Sequence, residues 1–113
     1  MLLNGVLHVR ECWPTNTTDG MLLFKSAKQV ILKPNAVYDM PVGFSMAIPK
    51  GKCLHAICLR DDITFLDNFK INGENLAIKI ENISDEDVTI DKGVTLGKFI
   101  MLNYTDIQFV PAF

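Results

Sequence analysis

Hydrophobic and polar positions alternate most cleanly over residues 75–82. Leu76, Ile78 and Ile80 point to one face, while Asn75, Lys79 and Glu81, with the small Ala77 among them, point to the other. Period two is the pattern of a strand with one buried face. Leu76, Ile78 and Ile80 are therefore expected on the core side of a central strand. Just before it stands Ile71-Asn72-Gly73-Glu74, in which Asn72-Gly73 tolerates positive φ cheaply and suits the tight primed turn of a β-hairpin.

The other stretches carry shorter signals of the same kind. Residues 1–12 alternate weakly, Val6 and His8 against Leu7 and Val9, as a strand or extended arm. Residues 13–20 are polar and rich in turn formers, which predicts a loop. Met21-Leu22-Leu23-Phe24 and Val30-Ile31-Leu32 read as short strands. Val42, Phe44, Met46 and Ile48 share one face opposite the small Gly43, Ser45 and Ala47. After the turn Pro49-Lys50-Gly51, residues 52–60 are mostly apolar and read as a strand covered on both faces. Residues 61–68 read as a loop that carries Phe65 and Leu66. Beyond the central strand come an acidic turn, Ser84-Asp85-Glu86-Asp87, a brief strand at Val88 and Ile90, the turn Asp91-Lys92-Gly93, and a last strand over 94–102. No segment has a helical period and nothing repeats. Short strands between regular turn signals predict an all-β sandwich or barrel. We expect one domain over 1–113, with an N-terminal arm and loop over 1–18 and a C-terminal tail over 105–113.

Composition narrows the function classes. At 113 residues, 49% hydrophobic and 21% charged, the chain can build one ordinary globular core and not two. A net charge of −2 lacks the basic excess that phosphate backbones demand, so no nucleic acid is expected as a partner. No apolar run is long enough for a membrane span, and Met1-Leu2-Leu3-Asn4-Gly5 is too short for a signal peptide, so neither membrane contact nor secretion is expected. Cys12, Cys53 and Cys58 are odd in number and hold no C-x-x-C pair, which predicts plain thiols and neither disulfides nor zinc. The glycosylation sequons at Asn16, Asn82 and Asn103 are read as chance matches.

Candidate chemistry is sparse. Asp61-Asp62 is the adjacent carboxylate pair outside the acidic turn; a metal role would need a third oxygen ligand, for which Asp67 is the candidate, against the plainer reading of a solvated loop. Glu81, Asp85, Glu86 and Asp87 read as a solvated turn or a rim contact. His8 and His55 lack a serine or cysteine partner in a recognisable motif. Trp13 is a core anchor or an interface aromatic. There is no phosphate-cradling glycine loop of the P-loop or Rossmann kind.

In the order and spacing of its segments the chain resembles the trimeric dUTPases, over residues 19–102. Asp19-Gly20-Met21-Leu22-Leu23-Phe24 resembles the family's first motif, Ala-Gly-Tyr-Asp-Leu. Val30-Ile31-Leu32-Lys33-Pro34 stands at its I-x-P-G turn. Pro41-Val42-Gly43-Phe44-Ser45-Met46-Ala47-Ile48-Pro49-Lys50-Gly51 is similar to its P-T-G-I-x-x-x-I-P-x-G-Y segment and is the most specific piece. Leu59-Arg60-Asp61-Asp62 stands where the family reads Pro-Arg-Ser-Ser/Gly, and residues 90–100 look like I-x-x-G-D-R-I-A-Q-L-V. The resemblance implies a dUTPase-like jelly-roll subunit in a homotrimer. The family's enzymes bind a nucleotide triphosphate with magnesium and activate water with an acid. Carried over position by position, the first-motif acid falls on Leu22 and the phosphate-binding serine on Asp61. The catalytic acid falls at or near Ile71 and the uracil-stacking tyrosine near Asn72. Val94 and Lys98 stand for a later Asp and Gln, the glycine-rich last motif has no counterpart, and Arg60 alone stays in register.

These departures predict a protein with no catalytic residue, no cofactor and no metal. The expected function is a non-catalytic structural or binding protein on a dUTPase-like fold, in the virion or host cytoplasm, acting as a viral or phage capsid decoration or spike component beside other viral structural proteins. The alternative is a divergent dUTPase-family nucleotide hydrolase or nucleotide binder. Phe109, Val110 and Phe113, in a tail nearly free of charge, are expected at the trimer interface; the competing reading pairs the tail as a last strand within its own subunit.

Overall fold

In the computed structural model, residues 5–72, 75–103 and 110–112 are described. Among them the chain forms β1 (Gly5–Leu7), a 3-10 turn at Arg10–Cys12, β2 (Thr15–Asn16), β3 (Leu22–Lys25), β4 (Val30–Leu32), β5 (Val37–Pro41), β6 (Phe44–Met46), β7 (Lys52–Cys58), β8 (Ile63–Phe65), β9 (Lys70–Asn72), β10 (Asn75–Asn82), β11 (Val88–Ile90) and β12 (Thr95–Asn103). All the pairings are antiparallel. The strands form two pairs, β1–β6 and β11–β4, and two larger sheets, β5-β10-β8 with β9 also on β10, and β2-β3-β12-β7.

β10 is central because both of its edges are occupied. β5 covers one along 77–81, and β9 and β8 lie end to end on the other. Leu76, Ile78 and Ile80 are buried and join one hydrophobic cluster that draws Phe24, Leu32, Phe44 and Leu54 from the other sheets. Ala77 is buried as well, so the opposite face of β10 is partly covered rather than open. Phe24 and Phe99 anchor an aromatic group with ring centroids 5.9 Å apart, and Phe69 packs edge-on at 5.0 Å and 5.5 Å from them.

Several expectations shift. Asn72 pairs with Asn75 and ends β9, and Gly73, the other residue of the expected turn, lies outside the described residues. The 42–48 stretch is not one strand: Gly43 sits at φ +80°, and a Cβ there would lie 2.7 Å from the Cys12 sulfur, so the chain kinks between β5 and β6. Ile48 is consequently exposed. β7 is an edge strand of its sheet; Leu54 is buried, but His55 and Ile57 face outward, so the strand is covered on one side only. The 61–68 stretch contains β8, because Phe65 reaches the aromatic group, 5.7 Å from Phe24. The arm turns through the 3-10 turn to bury Cys12, whose thiol donates to the Ser26 carbonyl at 3.3 Å. Of the tail residues expected at an interface, Phe109 and Phe113 lie outside the described residues; Val110 is 78% exposed.

Candidate functional site

The reversal between β7 and β8 carries Leu59, Arg60, Asp61 and Asp62, which line an open cavity of about 360 Å³. Its backbone is pinned from three directions. The Leu59 amide donates to the Leu96 carbonyl at 3.0 Å, and the Ile83 amide donates to the Asp62 carbonyl at 3.1 Å. The Cys58 thiol lies 3.4 Å from the Arg60 carbonyl and 3.5 Å from that of Ile63. Burial pushes that thiol above its ordinary pKa, so it stays a protonated donor.

On this frame Arg60 closes on Asp62 as a two-pronged pair. Arg60 Nε donates to Oδ1 at 2.9 Å and Nη2 to Oδ2 at 2.7 Å, a geometry in which planar guanidinium and carboxylate match. The hydrogen bonds to Arg60 hold the Asp62 carboxyl below its ordinary pKa and raise that of Arg60. Asp61 is exposed beside them and makes no ion pair among the described residues.

The proposed third carboxylate does not join. Asp67 accepts from the Asn68 amide at 2.8 Å and pairs with Lys70 at 3.1 Å. Among the described residues no three His, Cys, Asp or Glu side chains come together. With Asp62 and Asp67 each facing a cation, these donors do not fit a divalent ion, which needs several free oxygen ligands. Leu22 is half-buried on β3 and lines a different cavity. The side chains of Ile71 and Asn72 are outside the description.

That second cavity, of about 260 Å³, is apolar and lies between the β1–β6 pair and β3, against Leu22, Phe44, Met46 and Phe99. Trp13 forms its rim and is 66% exposed, which answers the sequence alternatives: it is not a core anchor. Two polar pairings lie far apart in the chain and escaped the sequence reading. His8 Nε2 lies 3.0 Å from Ser45 Oγ where β1 meets β6, at the surface; among the described residues no carboxylate bonds the other imidazole nitrogen, and the pair serves to join the strands. Lys98 on β12 donates to Asp19 at 2.5 Å. Asp19 also accepts from Thr17, and the Lys98 bond first and the Thr17 bond second bring its pKa to about 2. No motif spans 79 residues, so nothing in the sequence could have joined Asp19 to Lys98.

This all-β arrangement is a dUTPase-like fold, as superposition on solved structures shows. The solved structure of the dUTPase of Staphylococcus bacteriophage 80alpha superposes with a TM-score of 0.78 at 16% identity, over 98% of this chain and 96% of that one. The dUTPase from Streptococcus mutans gives 0.75 at 14%, over 94% and 99%. A mutant dUTPase from phage phi11 of S. aureus, whose structure describes coordination of a structural Mg(II) ion, gives 0.77 at 16%, over 99% and 97%. No protein-family model matches the chain, and no curated protein matches it by sequence.

Proposed function

We propose that this chain is a divergent protein of the dUTPase fold that acts by binding, with nucleotide as its ligand class, and does not hydrolyse dUTP. The observation that carries the second half is the pairing of Arg60 with Asp62. The loop that in dUTPases handles phosphate here presents two carboxylates, and its one cation is already engaged. Two negative charges beside one neutralised guanidinium disfavour a triphosphate. Leu22, Asp61 and Ile71 standing where the family has an acid, a hydroxyl and an acid agree with this, because groups that act as a unit lose many orders of magnitude of rate when removed.

The nucleotide class rests on likeness of fold to phage and bacterial dUTPases, an analogy and no more. That likeness favours the nucleotide reading over a capsid decoration or spike component, for which neither the fold nor the neighbours offers support. The same likeness keeps a hydrolase as the second reading. Equilibrium binding of dUTP together with pyrophosphate release in the presence of magnesium separates them. Binding without release is expected, and because the loop disfavours the triphosphate, dUTP should bind no tighter than deoxyuridine. Turnover near 1 per second or faster, an ordinary enzyme value, would establish the hydrolase, and absence of binding would remove nucleotide as the ligand class.

The homotrimer is proposed alongside. Ile57 and Leu59 at the end of β7, Leu102 on β12 and Val110 in the tail are apolar and exposed in the single chain, and such surface is stabilised by cover. Light scattering at micromolar concentration should give three times the chain mass, and a monomer would refute it. A chain cut after Tyr104 that remains trimeric would refute a role for the tail.

A further inference from the structure

We infer that the apolar cavity between the β1–β6 pair and β3 is a binding site for a compact, neutral aromatic molecule, a ligand class separate from the nucleotide proposed above. Two cross-strand pairs form its walls. Leu7 stands opposite Phe44 on β1 and β6, and Leu22 stands opposite Phe99 on β3 and β12. Phe44 and Phe99 meet at the buried end with stacked rings, their centroids 5.7 Å apart at 21°. Away from that contact the space stays open, for Gly5 faces Met46 and brings no side chain. Apart from its chain neighbours, a Cβ at Gly5 would meet only the Ser45 carbonyl oxygen at 3.2 Å and Met46 Cβ at 3.7 Å. Trp13 stands exposed at the rim.

Size and lining select the ligand. A dry apolar cavity of about 150 Å³ admits benzene, so about 260 Å³ admits one ring with a short substituent. Of the lining side chains only that of Trp13 carries a nitrogen or oxygen atom, whereas a well-held water needs about two to four polar partners. Water there is held loosely, and an apolar group that displaces it gains affinity. Phe44, Phe99 and Trp13 supply aromatic surface, and the flexible Met46 adapts to a ring beside it. No charged residue lines the cavity, so an ion would lose hydration without finding a partner. The rim does not suit a macromolecule. His8 and Thr15 flank lining residues in the chain, Asn16 pairs with Leu22, and all three are exposed and polar, so no continuous apolar patch surrounds the mouth. The proposed trimer does not use the cavity either: Phe99 and the exposed Leu102 lie on opposite faces of β12.

Trp13 is the only tryptophan of the chain, so its emission reports on the rim alone. Benzyl alcohol titrated into the full chain should shift that emission to the blue and saturate at roughly millimolar concentration or below, the range open to a ligand of this size. The melting temperature should rise over the same concentrations. Cyclohexylmethanol, similar in size and more apolar, should bind no tighter, because only an aromatic ring gains from the neighbouring rings beyond burial. Benzoate should bind about tenfold or more weakly than benzyl alcohol. Gly5→Leu and Leu22→Phe fill the space from different walls, and each should abolish the saturable shift while the chain still melts cooperatively. Either variant decides the matter if the other fails to fold. A shift that rises without saturating, or that persists in a folded filled variant, would overturn the site. Tighter binding of cyclohexylmethanol, or equal binding of benzoate, would overturn the ligand class. Emission already blue in the free chain and unmoved by benzyl alcohol would also overturn the proposal, by showing the cavity filled by the chain itself or by a second copy.

Discussion

β10 and the Leu59–Asp62 loop are held by different physics, and they carry information differently. β10 is fixed by burial: Leu76, Ile78 and Ile80 each repeat the same instruction, and three strands share its edges. The loop is fixed by single polar contacts, one amide to Leu96, one from Ile83, one thiol and one ion pair. A redundant apolar pattern survives many substitutions, because volume and period suffice. A set of single contacts does not, and one residue changes its charge and purpose. This contrast fits a fold shared with dUTPases at 14–16% identity.

The largest expected effect tests the redundant half. Ile78→Asp places a charge without a partner in the centre of the core. It should cost more than about 4 kcal/mol and prevent folding, read as loss of the cooperative melt by circular dichroism. Lys79→Asp, on the less buried face, should cost less than about 1 kcal/mol in a single chain. A soluble, cooperatively melting Ile78→Asp would mean that burial along β10 is not what holds the strand.

The next two changes act where the halves meet. Asn82 ends β10 fully buried. Its Nδ2 donates to the Leu32 and Glu86 carbonyls at 2.9 Å and 2.8 Å, and its Oδ1 accepts from the Ser84 amide and hydroxyl at 2.8 Å each. Asn82→Ala strands buried partners, at about 1–3 kcal/mol for such groups, and should lower the urea midpoint with little change in slope. Gly97 faces Cys58 across β12 and β7, and a Cβ there would lie 2.3 Å from the Ile57 carbonyl oxygen. Gly97→Ala forces the end of β7 outward, with an overpacking cost of about 1–3 kcal/mol. Hydrogen exchange should then rise at the Leu59 amide before it rises in β10. If both rise together, the loop and the core are one cooperative unit and the contrast between them is false.

How far the sequence could be read follows the same division. The alternation of β10 and the order of short strands were legible, because burial writes itself as a period. The break at Gly43 was not, because its cause is Cys12 arriving from another segment. Phe65 looked like a loop residue, since its strand is three residues long and its partners, Phe24 and β10, are distant in the chain. At the candidate site Arg60 and the two carboxylates were visible, and they read as a solvated loop, with a metal cluster including Asp67 as the lesser alternative. Only the structure pairs Asp62 with Arg60 and Asp67 with Lys70. The buried amide of Asn82 also removes a sequon that the sequence could only discount, because a side chain with no exposure accepts no glycan in the folded chain.

The smallest expected effect compares two surface pairs, Arg60–Asp62 within one loop and Asp19–Lys98 between distant segments. The second fastens the turn before β3 to β12. The Lys98 bond, with that from Thr17, brings the Asp19 carboxyl from its ordinary 3.8 to about 2. A depressed carboxylate pKa contributes stability that is fully present above the unfolded value and is lost as pH falls through the folded one. The contribution should therefore be constant above about pH 4 and disappear towards pH 2. Melting temperatures of the natural chain and of Lys98→Met, measured from pH 6 down to pH 2, should differ by a fixed small amount in the upper range and converge in the lower. Because both groups are at the surface, added salt should shrink the difference at every pH. A gap that persists unchanged to pH 2 would mean that Lys98 stabilises through the packing of its methylene stem, and that Asp19 is not the anchor of this turn.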